Sequence, residues 1–204
     1  MGTYSLKTPL DKSTVRKLRI GDIVYITGTI VTARDAAHRR MLEYRNRGEK
    51  IPVDLRGGVI YHCGPVVRKT DDSWIIIVAG PTTSYRMENY EADVIRVFGV
   101  RMVIGKGEMG EKTAEACQKY GAVYATFTGG AAVLAASRIK RVKQVEWLDL
   151  GIPEALWVLE VEEFGPLLVT IDSTGENLIE HVLEEAKKKR DNVLRKLEAL
   201  ESHR

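Results

Sequence analysis

The chain has 204 residues, with 31 Lys+Arg against 28 Asp+Glu and a formal net charge of +3. That length suits one domain with a sizeable core, and 44% hydrophobic with 29% charged residues excludes wholesale disorder. The near-neutral balance predicts no nucleic-acid partner. The longest apolar runs fall far short of the ~18 residues of a membrane span, and the start lacks a leader pattern, so a cytoplasmic chain is expected. Two cysteines, Cys63 and Cys117, with no C-x-x-C, fit a reducing compartment and build no four-cysteine site. No metal site is expected in this chain.

After a polar opening, Asp11 is a candidate cap for a helical start near Ser13. Gly21-Asp22 introduces the β-branched run Ile23–Val31, which predicts a strand. Thr32–His38 breaks the pattern, and 38–48 predicts a helix stopped by glycine. Two apolar strands follow at 58–61 and Trp74–Ala79, separated by the polar turn 69–73. Then come a helix near Met87–Phe98, a strand at Arg101–Ile104, a Gly-rich turn at 105–110, a helix at Glu111–Tyr120, a strand at Val123–Phe127 and a small-residue helix at 130–137. Ala155–Glu163 and Leu167–Ile171 complete the sheet. Strands alternating with helices predict an α/β fold with parallel neighbours. In Glu176–Glu201, Leu178, Ile179, Val182, Leu183, Val193, Leu194, Leu197 and Leu200 recur near helical spacing. The expected organisation is one domain over residues 1–174 and a C-terminal helical extension over 175–204.

Gly105-Lys106-Gly107-Glu108-Met109-Gly110 is a formal G-x-G-x-x-G between a strand and a helix. The acidic residue expected about 20 positions on is missing, since no Asp or Glu occurs from Lys119 through Val145. A more economical reading is an anion site at a helix N-terminus, with Lys106 adding a full charge. Thr82-Thr83-Ser84-Tyr85-Arg86 follows the most apolar strand. It offers hydroxyls and a bidentate guanidinium for a carboxylate, or simply caps the next helix. Arg34-Asp35 with His38 is either an anion clamp or an exposed ion pair. His62-Cys63 reads as a packed turn sooner than a nucleophile. The four histidines show no ligand spacing, and the basic run Arg138–Lys143 reads as a solvated face.

Three loops that follow strands thus carry Arg34, Thr82 with Arg86, and Lys106, an inventory better matched to a small dicarboxylate than to a nucleotide. The segments 28–38 (GTIVTARDAAH), 61–65 (YHCGP), 79–87 (AGPTTSYRM), 105–107 (GKG) and 127–132 (FTGGAA) resemble the β subunit of class I, iron–sulfur-dependent fumarate hydratase. The L-tartrate dehydratase β subunit shares the pattern. The resemblance runs from about Gly21 to Thr174. It implies a single swivelling β/β/α domain, to which the C-terminal helix read from spacing is an addition outside the resembling core, working as a hetero-oligomer with an α subunit that holds a [4Fe–4S] cluster. It also implies that Arg34, Arg86 and Lys106 bind the dicarboxylate and that Thr82 abstracts the proton. Fumarate and (S)-malate are the first expectation, L-tartrate the alternative, and a stand-alone anion or nucleotide module the rival. Self-association is open to the isolated chain. Tyr85 stands where a small residue is expected.

Overall fold

The computed structural model describes residues 1–71 and 73–201. Its elements in order are β1 (Thr3–Lys7), α1 (Lys12–Val15), β2 (Ile23–Thr32), α2 (Asp35–Asn46), β3 (Val59–Tyr61), β4 (Val66–Lys69) and β5 (Trp74–Val78). These are followed by α3 (Glu88–Phe98), β6 (Met102–Gly105), α4 (Glu111–Tyr120), β7 (Val123–Thr126), α5 (Ala132–Ser137), β8 (Ile139–Glu146), β9 (Leu156–Ile171) and α6 (Leu178–Glu201). Asp72 of the polar turn and the side chains of Leu197 and Leu200 lie outside the described set.

Strands β2, β3, β6 and β7 are parallel neighbours in that order. The long β9 runs antiparallel to β7 and also to β2, and so closes a five-stranded mixed barrel. Closure leaves those five strands no open edge between β7 and β2. Outside the ring, β1 pairs with the first half of β2, β8 pairs with β9, and β4–β5 is a separate hairpin.

Successive side chains of a strand point to opposite faces, and here both faces are buried. Tyr61, Ile104, Ala125 and Leu159 fill the barrel interior. Their neighbours Ile60, Val103, Tyr124 and Val158 pack outward into a second core, which includes Ala37 and Met41 of α2, Val94 and Ile95 of α3 and Cys117 of α4. Two-sided burial explains why these strands read as continuous apolar runs. Helices α3 and α4 end at Gly99 and Gly121, both in the left-handed region at φ 70° and 75°, as glycine stops require.

Three strands escape the sequence pattern. β1 and β4 are short and polar. β8 is the basic run itself: Ile139 and Val142 pack toward the core while Lys140 and Arg141 pair with Glu162 and Glu160 of β9 at 2.5 and 2.6 Å. The face is solvated, as read, and pairs of this exposure contribute little stability. The two apolar segments at the end of the sheet are one 16-residue strand, β9.

Beyond β9, buried Asn177 donates from Nδ2 to the Met109 carbonyl at 3.2 Å, and α6 then leaves the domain with residues 180–190 exposed. Ending the chain after Ile179 is therefore expected to move the thermal midpoint by no more than about 3 °C, the size of a sub-kcal/mol change in a domain this large. Calorimetry checks this, and a drop of about 10 °C or more would mean that the helix holds the barrel together.

Candidate active site

The parallel strands deliver their following loops to one end of the barrel, and the four expected site residues lie there. Residue Arg34 follows β2 and is the residue preceding the first turn of α2. Lys106 follows β6. Thr82 lies in an extended segment after β5 that is threaded between the ends of β3 and β6. Its amide donates to the His62 carbonyl at 2.7 Å, and its carbonyl accepts from the Lys106 amide at 3.1 Å. The Ser84 amide donates back to the Lys106 carbonyl at 2.9 Å. Main-chain bonding thus sets Thr82 beside Lys106.

The two arginines are brought together through acids. Arg86, on a 3-10 turn over Ser84–Met87, forms a two-bond fork onto Asp35, with Nε at 3.1 Å and Nη2 at 2.6 Å. Asp35 is the residue after Arg34. The Arg34 Nε lies 3.3 Å from Glu154 Oε1 but makes no aligned hydrogen bond, while Glu154 Oε2 accepts from the Ala36 amide at 2.9 Å. The Arg34 side chain passes against Gly64, where a β-carbon would lie 2.6 Å from Nη1. Arg86 is 49% exposed and Lys106 is exposed, with no acidic partner among the described residues. Tyr85 is exposed on the same turn.

Behind these residues lies a buried polar cluster that sequence spacing does not reveal. Glu91 of α3 receives His38 Nε2 at 3.1 Å and His62 Nε2 at 2.8 Å on the same oxygen, Oε2. The His38 Nδ1 donates to the Arg34 carbonyl at 2.8 Å, and His62 Nδ1 meets Ser84 Oγ at 2.9 Å. The side chains of His38, His62 and Glu91 have no solvent exposure. The expectation of scattered, unrelated histidines is corrected: β3 ends with Tyr61 inward, so His62 faces the helices, and the first turn of α2 carries His38 to the same place. The available signal was Glu88 and Glu91, one helical turn apart on the face of α3 that also buries Val94 and Ile95.

Burial opposes the charge on Glu91, but the charge of His38 and hydrogen bonds from both imidazoles outweigh it and lower the carboxyl to about 2. Burial also opposes the charge on His38, and there the Glu91 charge and hydrogen bond, with the Arg34 carbonyl, prevail and raise it. For His62 burial wins, and its proton affinity falls. These three residues are the one group among the described residues with ligand-type atoms within 4.8 Å of one another. Contacts of 2.8 and 3.1 Å are direct hydrogen-bond lengths, and the three side chains are sealed from solvent.

The glycine-rich turn has a different occupant from the anion expected there. The buried Glu88 carboxylate caps the start of α4, accepting from the Gly110 amide at 2.8 Å, the Thr113 amide at 3.3 Å and Thr113 Oγ1 at 2.7 Å. The helix N-terminus is thus neutralised from within, which removes support for a nucleotide-phosphate site. The expected hydroxyl capping is also absent, since no side chain caps the Ser84–Met87 turn or α3.

Fold and site define a barrel domain that carries a cationic face at the ends of its parallel strands. The fumarase C-terminus family profile matches residues 3–182, and the chain belongs to that family. It is 49% identical over 174 residues, 85% of each chain, to the L(+)-tartrate dehydratase subunit beta of Escherichia coli (strain K12). It is 46% identical over 174 residues, 85% of this chain and 89% of the relative, to a provisionally named L(+)-tartrate dehydratase subunit beta of Methanocaldococcus jannaschii. A provisionally named class I fumarate hydratase of Geobacillus stearothermophilus is 44% identical over 179 residues, covering 87% of this chain and 34% of that protein. Among the described residues, no helix is long and apolar enough to cross a membrane.

Two outcomes follow. A β-carbon at Gly105 would collide with Ser84 Oγ and lie 3.1 Å from His62 Nδ1. Gly105→Ala should therefore cost about 1–3 kcal/mol, as overpacking does, read as a lower urea midpoint. The second outcome concerns acid. The depressed Glu91 value contributes stability that is complete above its ordinary 4.5 and lost as pH falls toward about 2. The raised His38 value contributes stability that is complete below 6.5 and lost as pH rises through its folded-state value. Urea midpoints should fall from pH 4.5 downward, and Glu91→Gln should flatten that limb.

Proposed function

We propose that this chain is the β subunit of a heteromeric hydro-lyase that dehydrates a four-carbon 2-hydroxydicarboxylate, with L-tartrate placed ahead of the fumarate/(S)-malate pair. The observation that carries this reading is the similarity, at 49% and 46% identity, to proteins named as L(+)-tartrate dehydratase β subunits. The relative named for fumarate is 44% identical. This reverses the order expected from the motifs alone, which two carboxylates satisfy in either substrate. An α-subunit partner, and the swivelling of this domain against it, belong to the same proposal. The half-exposed Arg86 and exposed Lys106 support it, because fixed charges stabilise a reacting anion most when a covering surface excludes water.

In this reading Arg34, Arg86 and Lys106 bind the two carboxylates. Removing the carbon-bound proton spreads further negative charge onto the adjoining carboxylate, and the same cations stabilise that charge as it develops. Thr82 takes the proton on its hydroxyl oxygen. An unaided threonine is a weak base, and the positive charge of neighbouring Lys106 favours its deprotonated form. Hydroxide departs from the neighbouring carbon with a proton supplied by the partner subunit, and the enol formed from tartrate relaxes to the keto acid. The [4Fe–4S] cluster belongs to that partner in this reading. Burial pushes Cys63 up to about 12 and raises Cys117 as well, and the two thiols lie in separate cores, so this chain offers the cluster no ligand set.

Anaerobic assays of the chain alone and mixed with its α subunit, cluster content verified, test the proposal. Turnover is expected only in the mixture, with a higher kcat/KM for L-tartrate dehydration than for fumarate hydration. Preference for fumarate would restore the other order, and turnover by the isolated chain would refute the two-subunit reading. Arg86→Ala and Lys106→Ala should each lower kcat/KM by about 10²-fold or more, as loss of a preorganised charge does, and Thr82→Val should lower kcat with little change in KM.

A further inference from the structure

The hydrogens in the buried cluster can be counted from its geometry. The His38 Nδ1 faces a carbonyl, which only accepts, so that nitrogen carries a hydrogen. Both Nε2 atoms face the same Glu91 oxygen, so each contact needs a hydrogen between nitrogen and oxygen. His62 meets this requirement as a neutral Nε2–H tautomer whose Nδ1 accepts from the Ser84 hydroxyl. His38 cannot, because its Nδ1 is already protonated. The pair His38–Glu91 therefore holds one proton more than a neutral imidazole beside a carboxylate.

Each end of this chain of hydrogen bonds terminates on the site. The Arg34 carbonyl accepts from both the amide and the ring of His38, at 2.9 and 2.8 Å. His62 holds Ser84 through its ring, and through its own carbonyl it holds the amide of Thr82. We propose that His38, Glu91 and His62 are positioning residues, a buried imidazolium–carboxylate–imidazole relay that fixes the main chain at Arg34 relative to the Thr82–Ser84 segment. The relay's part in turnover rests on the hydro-lyase proposal, whereas its hydrogen count does not.

Burial opposes the ionised form of the pair, and the charges and hydrogen bonds around it favour that form. Asp35, on the same helix as His38, adds negative charge near both imidazoles. The other ionisable neighbours of Glu91 are Cys117 of α4 and Tyr124 of β7, which burial first, and the Glu91 charge after it, hold in their neutral states. Among the described residues no second cation pairs with the carboxylate, and His62 remains neutral beside it.

Imidazole nitrogen shifts of the ¹⁵N-labelled full chain at pH 7 read the relay without any partner subunit. The expected spectrum has His38 protonated at both nitrogens and His62 as the Nε2–H tautomer, with His38→Asn and His62→Gln used for assignment. A neutral His38 would overturn the proposal, as would stoichiometric metal in the purified chain with metal-shifted imidazoles. In the assembled enzyme, Glu91→Gln should lower kcat/KM about 100-fold, the effect of a misplacement of about 1 Å. His38→Asn, which keeps a donor near the Arg34 carbonyl, should retain more activity than His38→Gln, which keeps only the donor toward Glu91. Equal activities of the two, or near-wild-type Glu91→Gln, would overturn the positioning role. If the variants unfold, or the wild-type assembly turns over neither acid, the nitrogen spectrum still decides whether the relay exists.

Discussion

A single carboxylate oxygen, Glu91 Oε2, ties the end of β3 to α2 and α3. An ionised carboxylate without solvent contact costs several kcal/mol unless it is paired and hydrogen-bonded. Here the pairing is distributed, with one imidazolium supplying charge and a second imidazole supplying only a hydrogen. This constraint is demanding because the partners come from three elements and each must arrive with its ring edge turned inward. Oε1 of the same group has no partner among the described residues. One oxygen therefore carries the whole compensation, and a shift of either helix would leave a buried charge exposed to no donor.

The barrel supplies the rigidity that such a cluster needs. Because β9 pairs with both β7 and β2, the ring of strands closes, and the loops after β2, β3 and β6 converge on one end. The segment 81–84 then acts as a short extra strand, bridging Cys63 on one side and Lys106 on the other. Thr82 consequently sits on main-chain hydrogen bonds in place of a free loop. The same inward–outward alternation that fills the barrel with Tyr61 and Ile104 points His62 and Gly105 to the opposite face, where Ser84 packs against both.

Much of this was legible in the sequence, and the illegible parts share a cause. Strands β3, β6 and β7 announce themselves because burial on both faces demands short apolar runs, β2 does so through its β-branched residues, and α3 and α4 end where glycine alone adopts φ near +70° comfortably. Strand β8 hides because its outward positions are basic and only Ile139 and Val142 mark the inner face. The cationic loops at Arg34, Thr82, Arg86 and Lys106 were visible as residue types after strands. His38, His62 and Glu91 were not, since their meeting depends on tertiary placement of residues 29 and 53 positions from Glu91. The glycine-rich turn misleads for the same reason, as the acid that occupies its helix start is Glu88, 22 positions upstream of Gly110.

The cationic face combines two electrostatic arrangements. Arg34 and Arg86 already face Glu154 and Asp35, which lowers the field they project but fixes where they point. Asp35 takes Nε and Nη2 of Arg86, so the plane of the guanidinium is set while the remaining donor edge stays available. Lys106 has no such counter-ion among the described residues and sits exposed on a flexible stem. In the proposed function, orientation comes from the paired arginines and attraction from the lysine, a division suited to a dicarboxylate. Preorganised dipoles and charges act most strongly where water is absent, so the proposed partner would strengthen this face by covering it. The residues that would order it from below, the imidazolium and its carboxylate, are already sealed away from solvent by the fold itself.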